Sequence, residues 1–387
     1  LTSANTEFMD TPNYSNQSAC SPLPTPKAAR LTLSPDQLER IHQATTFREL
    51  SQIRQELLDL TPLHSLKRAG ELAPFAVIVN LIQDHIIRQG VTLAVMELAK
   101  RGVGEPPFPF AFIQFGSGGR CEQALISDQD NGLIYQVPSD VDPSTLEKAH
   151  GYFHLLGATI VQGLEEVGYP PCQGNVTCVS LRWRGSIEQW LERLDGWAAH
   201  PIWENARYLL LASDARVLWG DSKLFTPVLE RFRSLLANNP LLIGRLVSNT
   251  LHYRVSLGLF GRIIPEVQGR YRGAINLKYG VYLPIVNCVR HFALANGIFV
   301  SSTLERIALI REHGIWPIAF CDEVESHFRQ LLGMRLVAPL HWQDGQYTSN
   351  SYIKLTELSP DSTVMTRTAM RLAIRLQRMT EKLPSVY

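Results

Sequence analysis

Apolar residues recur at helical spacing through the first part of the chain and change to strand-like runs only after a proline-rich joint. The segment "LTLSPDQLERI" carries the start signals of a helix: Ser34 as N-cap, Pro35 at the first helical position, Gln37 at the third, and Leu33 placed to staple against Leu38. "FRELSQIRQELLDL" (residues 47–60) and "FAVIVNLIQDHIIRQGVTLAVMELAKR" (75–101) continue with apolar residues three and four apart. Together they predict a helical domain over residues 31–105. Residues 1–30 are rich in Ser, Thr, Asn and Pro, a composition that buries too little surface to order itself, so a disordered tail is expected there.

The joint "GVGEPPFPFAFIQF" (102–115) changes the period, and "FAFIQF" predicts a short buried strand. Two further strands are expected over "DNGLIYQV" (130–137) and "NVTCVSLRW" (175–183), with a helix over residues 143–168 between them. A helix around "SIEQWLERLDGWAA" and the buried-looking "ARYLLLASDARVLWG" complete an α/β domain over 106–225, and helical patterns dominate 226–387. The expected class is α+β, a small mixed sheet flanked by N-terminal and C-terminal helical domains. No internal repeat is present.

Composition narrows the function classes. Lys and Arg number 37 against 36 for Asp and Glu, so general nucleic-acid binding is not expected and any polyanion site must be local. No apolar run is long enough to cross a bilayer, and the start of the chain lacks the pattern of a signal peptide; a cytoplasmic protein with no membrane partner is expected. The six cysteines form no CxxC pair and are expected to be reduced thiols, Cys121 included.

The chemistry concentrates in "FIQFGSGGRCEQALISDQDNGLIYQ", Phe112 to Gln136. A strand ending at Phe115 would deliver Gly116 and Ser117 to the first turn of a helix, where free N–H groups favour an anion and glycine lets the backbone come close. Ser117 adds a hydroxyl donor, and Arg120 stands one turn on as a counter-charge. In a strand from Asp128 to Tyr135, Asp128 and Asp130 project from the same face, and two such carboxylates need a cation. Mg²⁺, with Mn²⁺ as the alternative, suits oxygen ligands of this kind and leaves coordination positions for phosphate oxygens. The pair and the turn therefore imply one site for a nucleoside triphosphate and its metal. A calcium-loop reading of "DQDNG" fails because the twelfth position from Asp128 is Ser139 instead of Glu.

This stretch resembles the DUF294 nucleotidyltransferase family, related to the protein-PII uridylyltransferases within the polymerase-beta-like superfamily. The family pattern GSxGRxEQxxxxDQDNxxI is matched by Gly116, Ser117, Gly119, Arg120, Glu122, Gln123, Asp128, Gln129, Asp130, Asn131 and Ile134. "WRGSIEQW", "SDARVLWGD" and "INLKYGVYLPIVNCVRHFALANGIFVSSTLERI" resemble its later segments, and the likeness spans roughly residues 32–385. The resemblance implies transfer of a nucleoside monophosphate to an acceptor hydroxyl; the acceptor is open between a protein, a nucleic acid and a small molecule, with a protein acceptor or regulatory partner among the partners expected. Catalytic members of the superfamily add a third carboxylate; "NVTCVSLRW" carries no acid, so Asp214, in the segment holding the family's Asp-x-Arg, is the expected substitute. Lys278, where the family has Asp-x-Lys and this chain has Asn276 ahead of it, could reach a triphosphate. The other reading is a nucleotide-binding regulatory protein that has lost transfer for want of that acid.

Two weaker signals have ordinary explanations. His150 and His154 lie four apart on a helix with no third ligand placed beside them. Arg367, Arg371, Arg375 and Arg378 form a basic stripe opposite Met365, Ala369, Leu372, Leu376 and Met379, the pattern of a core-packing helix with a solvated face.

Overall fold

The computed structural model describes residues 34–59, 69–250, 253–336, 340–343, 346–349 and 351–383. The expected tail over 1–30 and the Leu33 staple lie outside these residues. The chain opens with α1 (Pro35–Gln43), α2 (Phe47–Asp59) and α3 (Ala69–Lys100), followed by β1 (Phe110–Gln114), the single turn α4 (Gly116–Gly119) and β2 (Asn131–Tyr135). Next come α5 (Pro143–Val167), β3 (Arg184–Ser186), α6 (Ile187–Ala199), α7 (Trp203–Ser213) and β4 (Arg216–Gly220). The C-terminal part holds α8 (Thr226–Asn238), α9 (Pro240–Thr250), β5 (Ala274–Asn276), α10 (Leu283–Ala295), α11 (Thr303–Glu312), α12 (Ile318–Leu336), the strands β6 (Leu340–Gln343), β7 (Gln346–Ser349) and β8 (Tyr352–Lys354), and α13 (Pro360–Thr380).

Local signals start these elements where the sequence placed them. Ser34 and Gln37 form a reciprocal capping box on α1, and Ser186 with Gln189 repeats it on α6. Asp142 caps α5, which ends on Gly168 in the left-handed region at φ 107°.

The central sheet has the order β3-β2-β1-β4, with β1 antiparallel to both neighbours and β2 parallel to β3. It is the expected mixed sheet between helical parts, and both of its faces are buried. Phe110, Phe112, Leu133 and Tyr135 pack on one side against α3 and α5; Ala111, Ile113, Phe115 and Ile134 pack on the other against Trp183, Trp190 and Leu209. Period-two alternation delivers this split, and each large apolar side chain so buried contributes about 1.5–3 kcal/mol. α3 belongs to two cores: Phe75, Ala76 and Val79 join the C-terminal helices, while Ile82, Ile86 and Val91 join the sheet. A single rigid helix thus ties the C-terminal bundle to the sheet.

The third expected strand is not where the pattern put it. Residues 175–183 run as turns, and β3 begins at Arg184. Polar side chains take the place of a ladder there: the Cys178 N–H donates to Asn131 Oδ1 at 2.9 Å, and Arg184 Nη1 donates to the carbonyls of Cys178 and Val179 at 2.9 and 2.6 Å. Among the described residues no helix is long and apolar enough to cross a membrane.

Candidate functional site

Strand register brings the two halves of the motif together. Gln114 pairs with Asn131, and the Phe115 N–H donates to the Asp130 carbonyl at 2.9 Å, so the chain leaves β1 beside the residue that enters β2. The glycine turn is one turn long, shorter than the helix the sequence implied, so its anion affinity rests on the N–H groups of its first residues more than on a helix dipole. Gly116 sits at φ 53°, and a Cβ there would lie 2.5 Å from Asp130 Oδ2. Only glycine admits the carboxylate at that distance.

The strand expected from Asp128 begins only at Asn131, so Asp128 and Asp130 stand in the approach to β2. The intervening Gln129 is buried, donating to the carbonyls of Val161 and Tyr169 at 2.9 and 2.8 Å. Burial, and then the Asp128 charge, push the Asp130 carboxyl up to about 6, against the opposing influence of the Cys172 thiol, Lys278 and Arg120. The donor set fits a hard divalent cation: two carboxylates, of which Asp128 is exposed and disfavours the charge of Asp130, with Ser117 partly exposed on the glycine turn. The cavity lined by Gln114, Gly118, Asp128, Gln129, Asp130 and Asn131 is about 10 Å³, room for a water at most, so a nucleotide would have to lie outside it, on the exposed side of Asp128. Among the described residues no group of three or more His, Cys, Asp or Glu stands together. An ion here would rest on the two aspartates, and His150 and His154 carry no metal cluster.

Arg120 and Asp214, both expected at the ligand, face each other inside the protein instead. Arg120 donates to Glu122 Oε2 at 2.7 Å and Asp214 Oδ2 at 2.5 Å. Asp214 is fully buried and also receives Arg290 Nη2 at 2.6 Å and Arg306 Nη1 at 3.0 Å. Burial opposes its charge, but Arg290, Arg120 and Arg306 together hold the carboxyl below its usual range. The expectation that Asp214 supplies the third metal ligand is therefore corrected: both its oxygens are taken by guanidinium groups. Arg120 as a phosphate counter-charge is corrected for the same reason.

The rest of the family motif builds the turn's foundation. Arg216 forks onto Asp84 through two 2.7 Å bonds and donates to the Gly118 carbonyl at 2.9 Å. On α3, Asn80 accepts from the Gln123 N–H at 2.8 Å and Gln83 donates to the Ala124 carbonyl at 2.7 Å. Glu122 receives the Tyr282 hydroxyl and the Thr303 N–H, the latter at 3.1 Å, which ties the turn to the C-terminal helices. Gly119 lets the Asp214 backbone approach, since a Cβ there would meet its carbonyl at 1.9 Å.

Two parts of the chain match family models. Residues 64–204 match the model described as Putative nucleotidyltransferase DUF294, and residues 240–383 match the one described as Putative nucleotidyltransferase substrate binding domain. The chain belongs to the DUF294 family. No curated protein matches it. The match places the glycine turn and the aspartate pair in the nucleotidyltransferase part, and Lys278 in the substrate-binding part of this family.

Lys278 opens a π-helical turn, Lys278–Tyr282, and is near enough to act on the Asp130 carboxyl. Cys172, Arg207 and Tyr279, which sequence reasoning missed, also border the pair. Cys172 hydrogen-bonds Asp130, and Arg207 lies on the same turn, where a Cβ on Gly174 would meet Arg207 Nη2 at 2.5 Å and Cys172 Sγ at 3.5 Å. Polar residues inside apolar helices, such as Asn80, Gln83 and Asp84 on α3 or Asn287 and Arg290 on α10, were the available signal for the buried network.

Cys121 is disulfide-bonded, which corrects the expectation of reduced thiols throughout. A larger cavity, about 340 Å³, lies along α13 between Arg371, Arg375, Arg378 and Lys382. Arg375 there is paired with Glu323 at 3.3 Å and lies over the Phe320 ring, while Ala369, Leu372 and Leu376 face the core, as the stripe implied. It offers no carboxylate beside a backbone cradle, so the chemistry points to the aspartate pair.

Proposed function

We propose that the chain binds a nucleoside triphosphate with Mg²⁺, or Mn²⁺, at Asp128 and Asp130, and transfers the nucleoside monophosphate to an acceptor hydroxyl. The observation that carries this reading is the Asp130 carboxylate resting against Gly116, at the first turn of α4, with the exposed Asp128 two residues before it in the chain. Gly116 and Ser117 would hold phosphate oxygens through backbone N–H groups and the Ser117 hydroxyl, and Lys278 would neutralise phosphate charge. A divalent ion at the pair would supply charge neutralisation for the transferred phosphoryl group. The acceptor hydroxyl gives up its proton to solvent as its oxygen bonds to the α-phosphorus, the bond from that phosphorus to the α–β bridging oxygen breaks, and pyrophosphate leaves. The chain's own contribution is positioning and fixed charge. Family membership supports the nucleotidyltransferase class; the acceptor, a protein or a regulatory partner, is part of the proposal.

A second reading is favoured by the capture of Asp214. With that carboxylate held by three arginines, the chain would keep the nucleotide and transfer weakly, acting as a nucleotide-binding regulatory protein. Calorimetry with magnesium–ATP and magnesium–UTP, on the wild type and on Asp128→Asn/Asp130→Asn, tests the site: equal binding by the variant overturns both readings. Labelled triphosphate then separates them, because a labelled acceptor with pyrophosphate release supports transfer, and binding without turnover supports the regulatory role.

A further inference from the structure

We propose that Tyr279, backed by Tyr253, is the platform on which the base of a purine nucleoside triphosphate stacks, with Arg207 and Lys278 facing its phosphates; the proposal rests on the nucleotide site above. Tyr279 is 47% exposed and Tyr253 is 37% exposed, yet the two rings stack on each other, with centroids 5.6 Å apart and planes 22° apart. Two large aromatic rings assembled at the surface form a flat apolar face of the kind bases stack on. The platform is held in place: the Tyr279 N–H donates to Asn276 Oδ1 at 3.0 Å at the start of the π-helical turn, an irregularity that recurs at functional sites.

Its surroundings match the rest of a nucleotide. Lys278 Nζ lies 5.8 Å from the Tyr279 ring centre. Arg207 lies 6.0 Å from the exposed Trp203 ring and against the Cys172–Gly174 turn, whose Cys172 hydrogen-bonds Asp130. In this proposal the aromatic face takes the base while these cations take phosphate charge next to the aspartates. Stacking uses the π-face common to all bases, so the larger ring system of a purine overlaps the platform more than a pyrimidine does.

Calorimetry on the full chain in Mg²⁺, with ATP, UTP and inorganic tripolyphosphate, tests this. The wild type is expected to bind ATP more tightly than UTP or tripolyphosphate. Tyr279→Ala is expected to weaken ATP roughly tenfold while leaving tripolyphosphate unchanged, and Tyr279→Trp to retain ATP affinity. A thermal melt confirms that the variants are folded. The platform is overturned if Tyr279→Ala leaves ATP affinity intact, if it weakens ATP and tripolyphosphate alike, or if the wild type binds UTP as tightly as ATP. Tripolyphosphate binding with no gain for ATP removes the platform and keeps the metal–phosphate site, whereas no binding of any of the three removes both.

Discussion

Arg120 Nη1 donates to Asp214 Oδ2 at 2.5 Å, joining two buried side chains that stand 94 residues apart in the chain. The contact spends both residues on architecture. Arg120 follows the glycine turn, Asp214 caps α7, and Arg290 and Arg306 bring α10 and α11 onto the same carboxylate. The turn that faces the aspartate pair is thereby clamped to the C-terminal helices.

Asp214→Asn is accordingly expected to act on stability. It leaves three buried guanidinium groups without their shared anion, a loss of about 3–5 kcal/mol for a broken buried pair. Denaturant midpoints should fall sharply, while the folded fraction retains magnesium–nucleotide affinity. Unchanged stability with lost metal affinity would restore Asp214 to the metal site.

Asp130→Asn is expected to do the reverse. It removes a carboxylate that burial and Asp128 both disfavour, so the metal-free protein should gain about 1–3 kcal/mol at neutral pH. Magnesium–nucleotide binding should disappear in the same variant. A melt in EDTA beside a binding titration reads both effects.

Two glycines separate close approach from mere flexibility. Gly116→Ala forces a Cβ to within 2.5 Å of Asp130 Oδ2 at a positive φ, and should cost about 1–3 kcal/mol along with nucleotide binding. Gly151→Ala, inside α5 with nothing near the added methyl, should stabilise by about 0.5–1 kcal/mol and leave binding alone. Equal effects from the two substitutions, measured by urea denaturation, would remove the argument from approach.

Acid sensitivity should arise at the α1–α3 contact. His85 Nδ1 lies 3.1 Å from His42 Nε2, and burial, then His42 and Arg88, lower its pKa to about 4 against the pull of Asp84. A depressed histidine binds fewer protons folded than unfolded between about pH 4 and its free value of about 6.5, so stability rises with pH across that window and is lost as pH falls through it. After solvent screening the effect should be about 1–2 kcal/mol. His85→Gln should flatten this part of the pH–stability curve; an unaltered slope would place the sensitivity elsewhere.

Much of this molecule was legible in one dimension. Helix starts such as Ser34–Gln37 and the strands β1 (Phe110–Gln114) and β2 (Asn131–Tyr135) follow from short-range rules: capping chemistry, apolar period and side-chain alternation each act within a few residues. The family motif added the meeting of glycine turn and aspartates. Tertiary structure alone decided how the motif's charges are used. Arg120 and Asp214 look like ligand groups in sequence because each is an ion in a motif, and they are structural because Arg290 and Arg306 arrive from helices far along the chain. It also decided the mouth of the site, where Cys172, Arg207 and Tyr279 meet from separate segments. Charge pairing and surface juxtaposition depend on three-dimensional distance, and no local periodicity encodes them.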